Sequence, residues 1–240
     1  MKRVSLILLL FAFCVSAFAR ESQLQKATNV INEIMATPEN GVPQDLLNKA
    51  VCVGIIPSEI KGALVIGGSY GRGVLVCRDN GTGPWGAPSM FTIGSGSVGF
   101  QIGGKATDVV FIVMDGEGAR KLVQDSVKLG AELSVAAGPV GRSAEGATDA
   151  QLHAEILSYS RSRGLFAGAS LDGTVVKQDW DDNQQLYGHK VSAKQILFGG
   201  HEAVPADARG LDDTLAKYSP KGGQQFSQAM QSVGSTPSEE

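Results

Sequence analysis

Three arginines stand among glycines and small residues in the middle of this chain, and their surroundings suit them to anion recognition. The stretch from Ala136 to Gly173 joins two apolar runs and carries Arg142, Arg161 and Arg163, with no acidic residue directly beside any of them. A guanidinium donates paired hydrogen bonds to phosphate oxygens, and glycine lets backbone N–H groups approach the same anion. The spacing therefore predicts a site for an anion such as a phosphate.

Other cations stand at predicted strand ends or turns and could join such a site. They are Lys61, Arg72, Arg78 and Lys105. Dispersed charges of this kind usually form a solvated surface, and they make a phosphate site only where the fold brings several together. Convergence of these cations therefore depends on the tertiary fold.

Catalytic motifs fail at the residues that would carry the reaction. The run from Gly67 to Gly71 has the spacing of a nucleophile elbow around Ser69, but a strand pattern follows where a helix is needed. Lys105 has the spacing of a phosphate-loop lysine, yet Ala106 replaces the hydroxyl that would bind magnesium. We therefore predict that the protein is not an enzyme and uses no cofactor, with a hydrolase using Ser69 as an alternative.

Metal-binding patterns are incomplete. The three histidines, His153, His189 and His201, do not have the spacing of zinc ligands. The run from Asp179 to Asn183 opens like a calcium loop, but Gln184 replaces the glycine that should follow. We predict no metal site.

The first nineteen residues have the pattern of a secretory signal peptide. A basic start at Met1–Arg3 precedes the apolar run Val4–Phe13, and Ala17–Ala19 has the small residues of a cleavage site. Cleavage before Arg20 would export the protein to the periplasm or the exterior. Ordinary cleavage is favoured over lipidation of Cys14, because the residue before that cysteine is bulky.

Charge and length narrow the class of protein further. Loss of Lys2 and Arg3 with the leader lowers Lys+Arg from 21 to 19 against 24 Asp+Glu, so the formal net charge moves from -3 to -5. An acidic protein is poorly suited to nucleic acid, where phosphate neutralisation supplies most of the affinity. We predict one domain at 20–218 and a disordered tail at 219–240, rich in Gly, Gln, Ser and Glu.

Helical patterns at both ends enclose a strand-rich middle. Apolar spacings of three and four predict helices at 21–35, 44–49, 117–125, 182–187, 192–198 and 206–218. Runs rich in Val, Ile and Leu predict strands at 50–56, 62–68, 73–78, 89–93, 97–102, 107–114 and 127–137. Two further strands, 164–171 and 173–177, are predicted to form a hairpin around Asp172-Gly173. The order predicts an α+β fold with a strongly bent antiparallel sheet or barrel-like core and one inserted helix.

Two cysteines remain after the leader, Cys52 and Cys77, each inside an apolar run. An exported compartment permits a disulfide, but a bridge requires the two strands to be aligned within reach. We favour two small buried hydrophobic residues.

Two blocks of the central stretch resemble the signature of the SYLF domain family. They are GPVGR at 138–142 and SRSRGLFAGASLDG at 160–173, and the likeness extends from about Glu21 to Leu215. Further matching blocks lie at 50–57, 61–63, 71–74, 85–88, 96–103, 108–110, 186–188 and 196–199. The resemblance implies binding of membrane lipids, which are phosphoinositides in eukaryotic members, helped by an N-terminal amphipathic helix. Some fungal members also bind actin.

The combined prediction is a non-enzymatic, exported protein, peripheral on a membrane, that binds anionic phospholipid headgroups. The residues expected to hold the headgroup phosphate are Arg142, Arg161, Arg163, Arg72, Lys61 and Lys105, with apolar contact near Phe166 and from the N-terminal helix. Actin and phosphoinositides are not expected in that compartment, and no protein partner is identified. A structural envelope protein that binds another protein is a further alternative.

Overall fold

Helices at both ends of the chain flank a long run of strands. The computed structural model describes residues 21–220, apart from 38, 40, 64–65, 99–102, 142–147, 149–150, 152 and 163–164. The predicted signal peptide and nearly all of the predicted tail lie outside the described residues. The described helices are α1 (Gln23–Met35), α2 (Gln44–Lys49), α3 (Gly116–Leu122), α4 (Trp180–Tyr187), α5 (Ala193–Phe198) and α6 (Arg209–Tyr218). The described strands are β1 (Cys52–Ala63), β2 (Ile66–Cys77), β3 (Ser89–Val98), β4 (Gly103–Val113), β5 (Ser126–Lys128), β6 (Val135–Ala137), β7 (Ile156–Ser162), β8 (Leu165–Gly168) and β9 (Val175–Gln178).

These strands form one curled sheet in the order β5-β9-β3-β2-β1-β4-β7-β6, with β8 paired to β7. Its pairs are antiparallel except for β6 beside β7. The sheet curls into a half-barrel, and α3 is the helix inserted between strands. The predicted α+β class with a strongly bent sheet is therefore confirmed. The strand predicted at 62–68 is wrong as one strand, because β1 includes 62–63 and β2 begins at Ile66. The glycines that follow extend β2 to Cys77, and those after 89–93 extend β3 to Val98, rather than ending these strands.

Alternation along the strands creates two apolar layers. The α1 face, defined by Val53, Ile55 and Val110, packs against α1, α2 and α6. The α3 face, defined by Ile56 and Phe111, packs against α3 and the segments around β5 and β9. Residues on opposite faces differ by one position along a strand, so a strand's register decides which layer each side chain joins.

The apolar stripe of α1 belongs to the protein core. Its members are Leu24, Ala27, Val30, Ile31 and Ile34, each at most 5 % exposed. Ser22 caps the helix by accepting a hydrogen bond from the Gln25 N–H at 3.1 Å. Burial of each larger aliphatic side chain stabilises the fold by roughly 1.5–3 kcal/mol. In this conformation the stripe is therefore not an exposed surface for a bilayer.

The predicted hairpin around Asp172-Gly173 is wrong. The turn exists, but β8 pairs with β7, whereas β9 pairs with β3 and β5 at the far side of the sheet. The Gly173 N–H donates to the Leu129 carbonyl at 2.9 Å, so the turn joins another part of the chain. The strand predicted at 127–137 is also interrupted, by a turn at Gly130 with φ 82°.

The preference for two free cysteines is also wrong, because Cys52 and Cys77 form a disulfide. The two residues are directly opposed in the β1–β2 ladder, and their Cα atoms are 4.0 Å apart. Register alone brings them within bridging distance, since directly opposed residues of an antiparallel pair project to the same face. Both are buried in the layer on the α3 face.

A buried arginine next to this disulfide anchors the end of α6. Arg78 donates hydrogen bonds to the carbonyls of Ala50, Gly83 and Ser219, at 3.0–3.1 Å. Its guanidinium carbon lies 4.0 Å from the centre of the Trp85 ring, whose indole N–H also donates to the Ser219 carbonyl. Burial lowers the pKa of Arg78 to about 10. Arg78 is therefore a structural residue rather than a surface cation.

Candidate functional site

A bulge in β1 creates the most unusual backbone feature near the predicted site. The register of β1 shifts against both neighbouring strands between Ile56 and Glu59, and Ser58 has a φ of 59°. The left-handed region is uncommon for a residue with a side chain, and such positions occur often at functional sites. The Ser58 N–H donates to Asp108 Oδ1 at 2.9 Å, which ties the bulge to β4.

Arg161 is held at the centre of an ion-pair network. Arg161 is on β7, directly opposite Asp108 of β4. Its Nε and Nη2 lie 2.7 and 2.5 Å from Asp108 Oδ2. Its Nη1 contacts the Glu33 carboxylate of α1, and its guanidinium carbon lies 5.6 Å from the centre of the Phe166 ring. The Arg161 side chain is 26 % exposed. It therefore joins β4, β7, β8 and α1, and its charge is already met by carboxylates.

Phe166 itself is only 3 % exposed and belongs to the core beneath Arg161. The neighbouring Leu165 is 61 % exposed. Interfacial contact near Phe166 stays a prediction, and Leu165 is the side chain placed to make it.

Arg72 is neutralised in a similar way on β2. Its Nη2 lies 3.0 Å from Asp182 Oδ1 and 3.4 Å from Asp179 Oδ2, at the beginning of α4. The Asp182 carboxylate raises the pKa of Arg72, although burial opposes this. Burial, together with the charge of Asp179, raises the pKa of Asp182 despite the arginine. The Arg72 side chain is half exposed, so these surface pairs stabilise the fold only modestly.

Lys61 and Lys105 occupy directly opposed positions of the β1–β4 ladder. Directly opposed like charges on neighbouring strands are destabilising. One step along β1, Ile60 pairs with Tyr70 of β2, and these two side chains are 63 % and 53 % exposed. We call these four residues the hairpin end of the sheet. The hairpin end thus carries two of the predicted cations at positions on one face of the sheet and exposed apolar surface on the other face.

Ser69 lies in the middle of β2, opposite Lys61 on one side and Ser95 on the other. Its hydroxyl lies 2.8 Å from the Ser95 hydroxyl. A nucleophile elbow requires a strand-to-helix turn, and Gly67 to Gly71 is instead continuous strand.

Arg142 and Arg163 lie outside the described residues, so their predicted roles remain predictions.

The glycines of the central stretch have a packing role. A Cβ at Gly138 would lie 2.1 Å from Tyr159 Cζ, and one at Gly168 would lie 2.4 Å from the Gly138 carbonyl oxygen. Close approach of β8 and the segment after β6 to β7 thus requires glycine at both positions.

A pocket of about 220 Å³ lies between α1 and the bulge of β1. Its lining consists of Glu21, Lys26, Asn29, Val30, Glu33, Pro57, Ser58, Asp108 and Arg161. Sequence reasoning identified Arg161 but missed the three acidic residues. The sequence feature that could have indicated an acidic wall is Asp108, an acidic residue at the beginning of the apolar run of β4.

The described part of the chain contains neither a cluster of metal ligands nor a membrane-spanning helix. There, no group of three His, Cys, Asp or Glu side chains is arranged to hold a metal ion. Nor does that part contain a helix with the length and apolar character needed to cross a bilayer.

Comparison with known proteins identifies the family. The Ysc84 profile, described as Las17-binding protein actin regulator, matches residues 94–218. An SH3 domain-containing protein of Schizosaccharomyces pombe is 35 % identical over 78 % of this chain and 45 % of its own length. LAS seventeen-binding protein 3 of Saccharomyces cerevisiae is 32 % identical over 85 % of this chain and 46 % of its own. The human SH3 domain-containing YSC84-like protein 1 is 32 % identical over 84 % of this chain and 60 % of its own.

The chain thus spans about half the length of the curated relatives it matches. The family description names an actin regulator, and these relatives are named as SH3 domain-containing or LAS seventeen-binding proteins rather than as enzymes. The profile match and the relatives together show that the chain belongs to the Ysc84 family of SYLF-domain proteins.

Proposed function

We propose that this protein is a non-enzymatic binding protein that docks on an anionic phospholipid surface through the hairpin end of its sheet. The observation that carries the proposal is the direct opposition of Lys61 and Lys105 in the β1–β4 ladder. Like charges at directly opposed positions of neighbouring strands repel each other. An anionic surface removes that repulsion and adds about 1 kcal/mol for each basic residue close to it.

An exposed apolar pair on the other face of this end of the sheet supports an end-on orientation. Ile60 and Tyr70 are cross-strand neighbours and leave most or half of their surface in water. Aliphatic and tyrosine side chains at a bilayer surface bury their apolar parts while the phenol hydroxyl stays hydrated. In an end-on approach, the hairpin end therefore combines charge attraction from one face with shallow insertion of the other face.

The arginines have a different role in this proposal. Arg72 and Arg161 are already paired with carboxylates, which reduces the attraction that they add. Arg142 and Arg163 remain predicted headgroup ligands. The proposed site of action is outside the cytoplasm. The first nineteen residues have the pattern of a signal peptide, and a disulfide such as Cys52–Cys77 persists in oxidising compartments.

Vesicle co-sedimentation tests the proposal. The chain from Arg20 onward should bind phosphatidylglycerol vesicles in preference to phosphatidylcholine vesicles, and added salt should weaken the binding. The Lys61→Gln/Lys105→Gln double variant should bind phosphatidylglycerol about 30-fold more weakly, the equivalent of two basic residues. Equal binding to the two kinds of vesicle would refute the electrostatic part.

Matched variants separate this effect from a loss of net charge. Lys128→Gln/Lys194→Gln removes two exposed lysines elsewhere and should leave vesicle binding almost unchanged. Ile60→Ser/Tyr70→Ser should weaken binding to the same vesicles without changing its salt dependence. An equal loss in the control and the Lys61/Lys105 variant would show that net charge alone is responsible.

Binding of another protein is a second candidate, favoured by the family's description as Las17-binding. The apolar stripes of α1 and α6 are buried, so such a partner would also meet the hairpin end rather than these helices. Vesicle binding by the purified chain alone favours lipid. A stoichiometric protein partner whose capture is weakened by Lys61→Gln/Lys105→Gln, with no vesicle binding by the chain alone, would favour the second candidate.

A further inference from the structure

The pocket between α1 and the β1 bulge brings charges of both signs around one small volume. Helix α1 contributes Lys26, Asn29 and Glu33, at spacings that place them along one stripe. The facing wall is formed by Ser58 in its strained conformation and by Arg161. This polar stripe of α1 is distinct from its buried apolar stripe, so a ligand can enter without displacing the core.

The two carboxylates that meet Arg161 differ in how firmly they are held. Asp108 is 12 % exposed, receives Nε and Nη2 of Arg161, and also accepts the Ser58 N–H. Glu33 is 49 % exposed, contacts Nη1 of Arg161 and lines the pocket. A surface carboxylate of this kind exchanges at little cost, whereas a mostly buried bonded one does not. Glu33 is therefore the partner that an incoming anion would replace.

Lys26 supplies the second cation. It is half-buried at the pocket wall, and no carboxylate among the described residues lies within ion-pair distance of it. Glu21 faces the same space and accepts a hydrogen bond from Asn29 Nδ2 at 2.6 Å. The lining thus holds three carboxylates and two cations, so a ligand with only one sign of charge would meet repulsion from part of it.

We propose that this pocket binds a group that carries a phosphodiester and a primary ammonium on a two-carbon linker, the phosphoethanolamine group. The phosphate would accept from Arg161 Nη1 and Lys26, and the ammonium would donate to the displaced Glu33 carboxylate. Each ion pair broken is thereby replaced by another. The group could come from a lipid headgroup or from its free glycerol ester, and only the lipid case rests on the function proposed above.

Calorimetric titration of the chain from Arg20 onward tests the inference with two matched soluble ligands. Glycerophosphoethanolamine and glycerophosphoglycerol are both phosphodiesters, and only the first has an ammonium. Glycerophosphoethanolamine should bind about tenfold more tightly, as expected for one charge-assisted contact. Equal affinities, or no binding of either ligand at millimolar concentration, would overturn the inference.

Two variants give opposite patterns. Glu33→Gln should tighten glycerophosphoglycerol binding, because Arg161 loses its competing carboxylate, and should bring the ratio of the two affinities close to one. Lys26→Gln should weaken both ligands by a similar factor and leave that ratio unchanged. Glu117→Gln and Lys49→Gln, at exposed positions on α3 and α2, are the matched controls. An unchanged ratio in Glu33→Gln would exclude that residue as the ammonium partner.

Vesicles distinguish the two sources and separate this inference from the proposed function. Adding phosphatidylethanolamine to phosphatidylglycerol vesicles should strengthen binding of the wild-type chain but not of Glu33→Gln. Binding of the soluble ligand without any vesicle binding would support the pocket and refute the membrane proposal. Vesicle binding that does not change when phosphatidylethanolamine is added, with no soluble ligand bound, would support the membrane proposal and refute the pocket.

Discussion

Reduction of the Cys52–Cys77 disulfide should destabilise the protein by an amount set mainly by the loop that it closes. The two cysteines are 25 residues apart in sequence. The loss of loop-closure entropy in the unfolded chain for a loop of this length corresponds to about 3.5 kcal/mol at 25 °C. The bridge joins residues that the β1–β2 register already opposes, so its native-state contribution is small by comparison.

Equilibrium urea unfolding of the oxidised and reduced chain measures this difference. From Arg20 onward Cys52 and Cys77 are the two cysteines, so reduction changes a single bond and leaves both side chains in place. With a slope of about 2 kcal/mol/M, the midpoint should fall by about 1.5–2 M. A decrease below about 0.5 M would refute the loop-entropy reasoning. The unfolding midpoint of the Cys52→Ala/Cys77→Ala variant should fall further, because this variant also leaves a cavity in the α3-face layer.

Three further substitutions probe the packing around the central stretch and the C-terminal anchor. Gly138→Ala places a methyl group against the Tyr159 ring and should cost about 1–3 kcal/mol, seen as a lower melting temperature; an unchanged value would contradict the close approach. Tyr159→Phe should stabilise the fold by up to about 1 kcal/mol, because the buried hydroxyl has no hydrogen-bond partner among the described residues, and a loss of stability would show that it is bonded. Arg78→Met keeps the aliphatic stem but leaves the Ser219 carbonyl without its guanidinium partner, so urea unfolding should show a loss of about 3 kcal/mol, and a neutral result would contradict the anchor.

Local signals allowed much of the secondary structure to be predicted. Pro43 precedes α2 at 44–49, and Ser192 caps α5 through a reciprocal pair of hydrogen bonds with Gln195. These features depend on residues within one turn of each other, so the sequence alone specifies them. The α+β class followed in the same way, from helical patterns at both ends of a strand-rich middle.

The partners of each strand depended on contacts between distant residues. The turn at Asp172-Gly173 was correctly placed, but whether β9 paired with β8 or with β3 could not be read from it. The disulfide was missed for the same reason, since Cys52 and Cys77 meet only in one register. The bulge at Ser58 shifts that register further along β1, and no local sequence pattern predicted the bulge.

For the candidate site, the sequence by itself determined the residue types: an arginine-rich, glycine-rich stretch, a family signature and lysines near strand ends. The tertiary structure decided their roles. It paired Arg161 with Asp108 and Glu33, and it placed Lys61 opposite Lys105. The physical reason is that a charge acts through its neighbours within a few ångströms, and sheet register, rather than sequence spacing, fixes who those neighbours are.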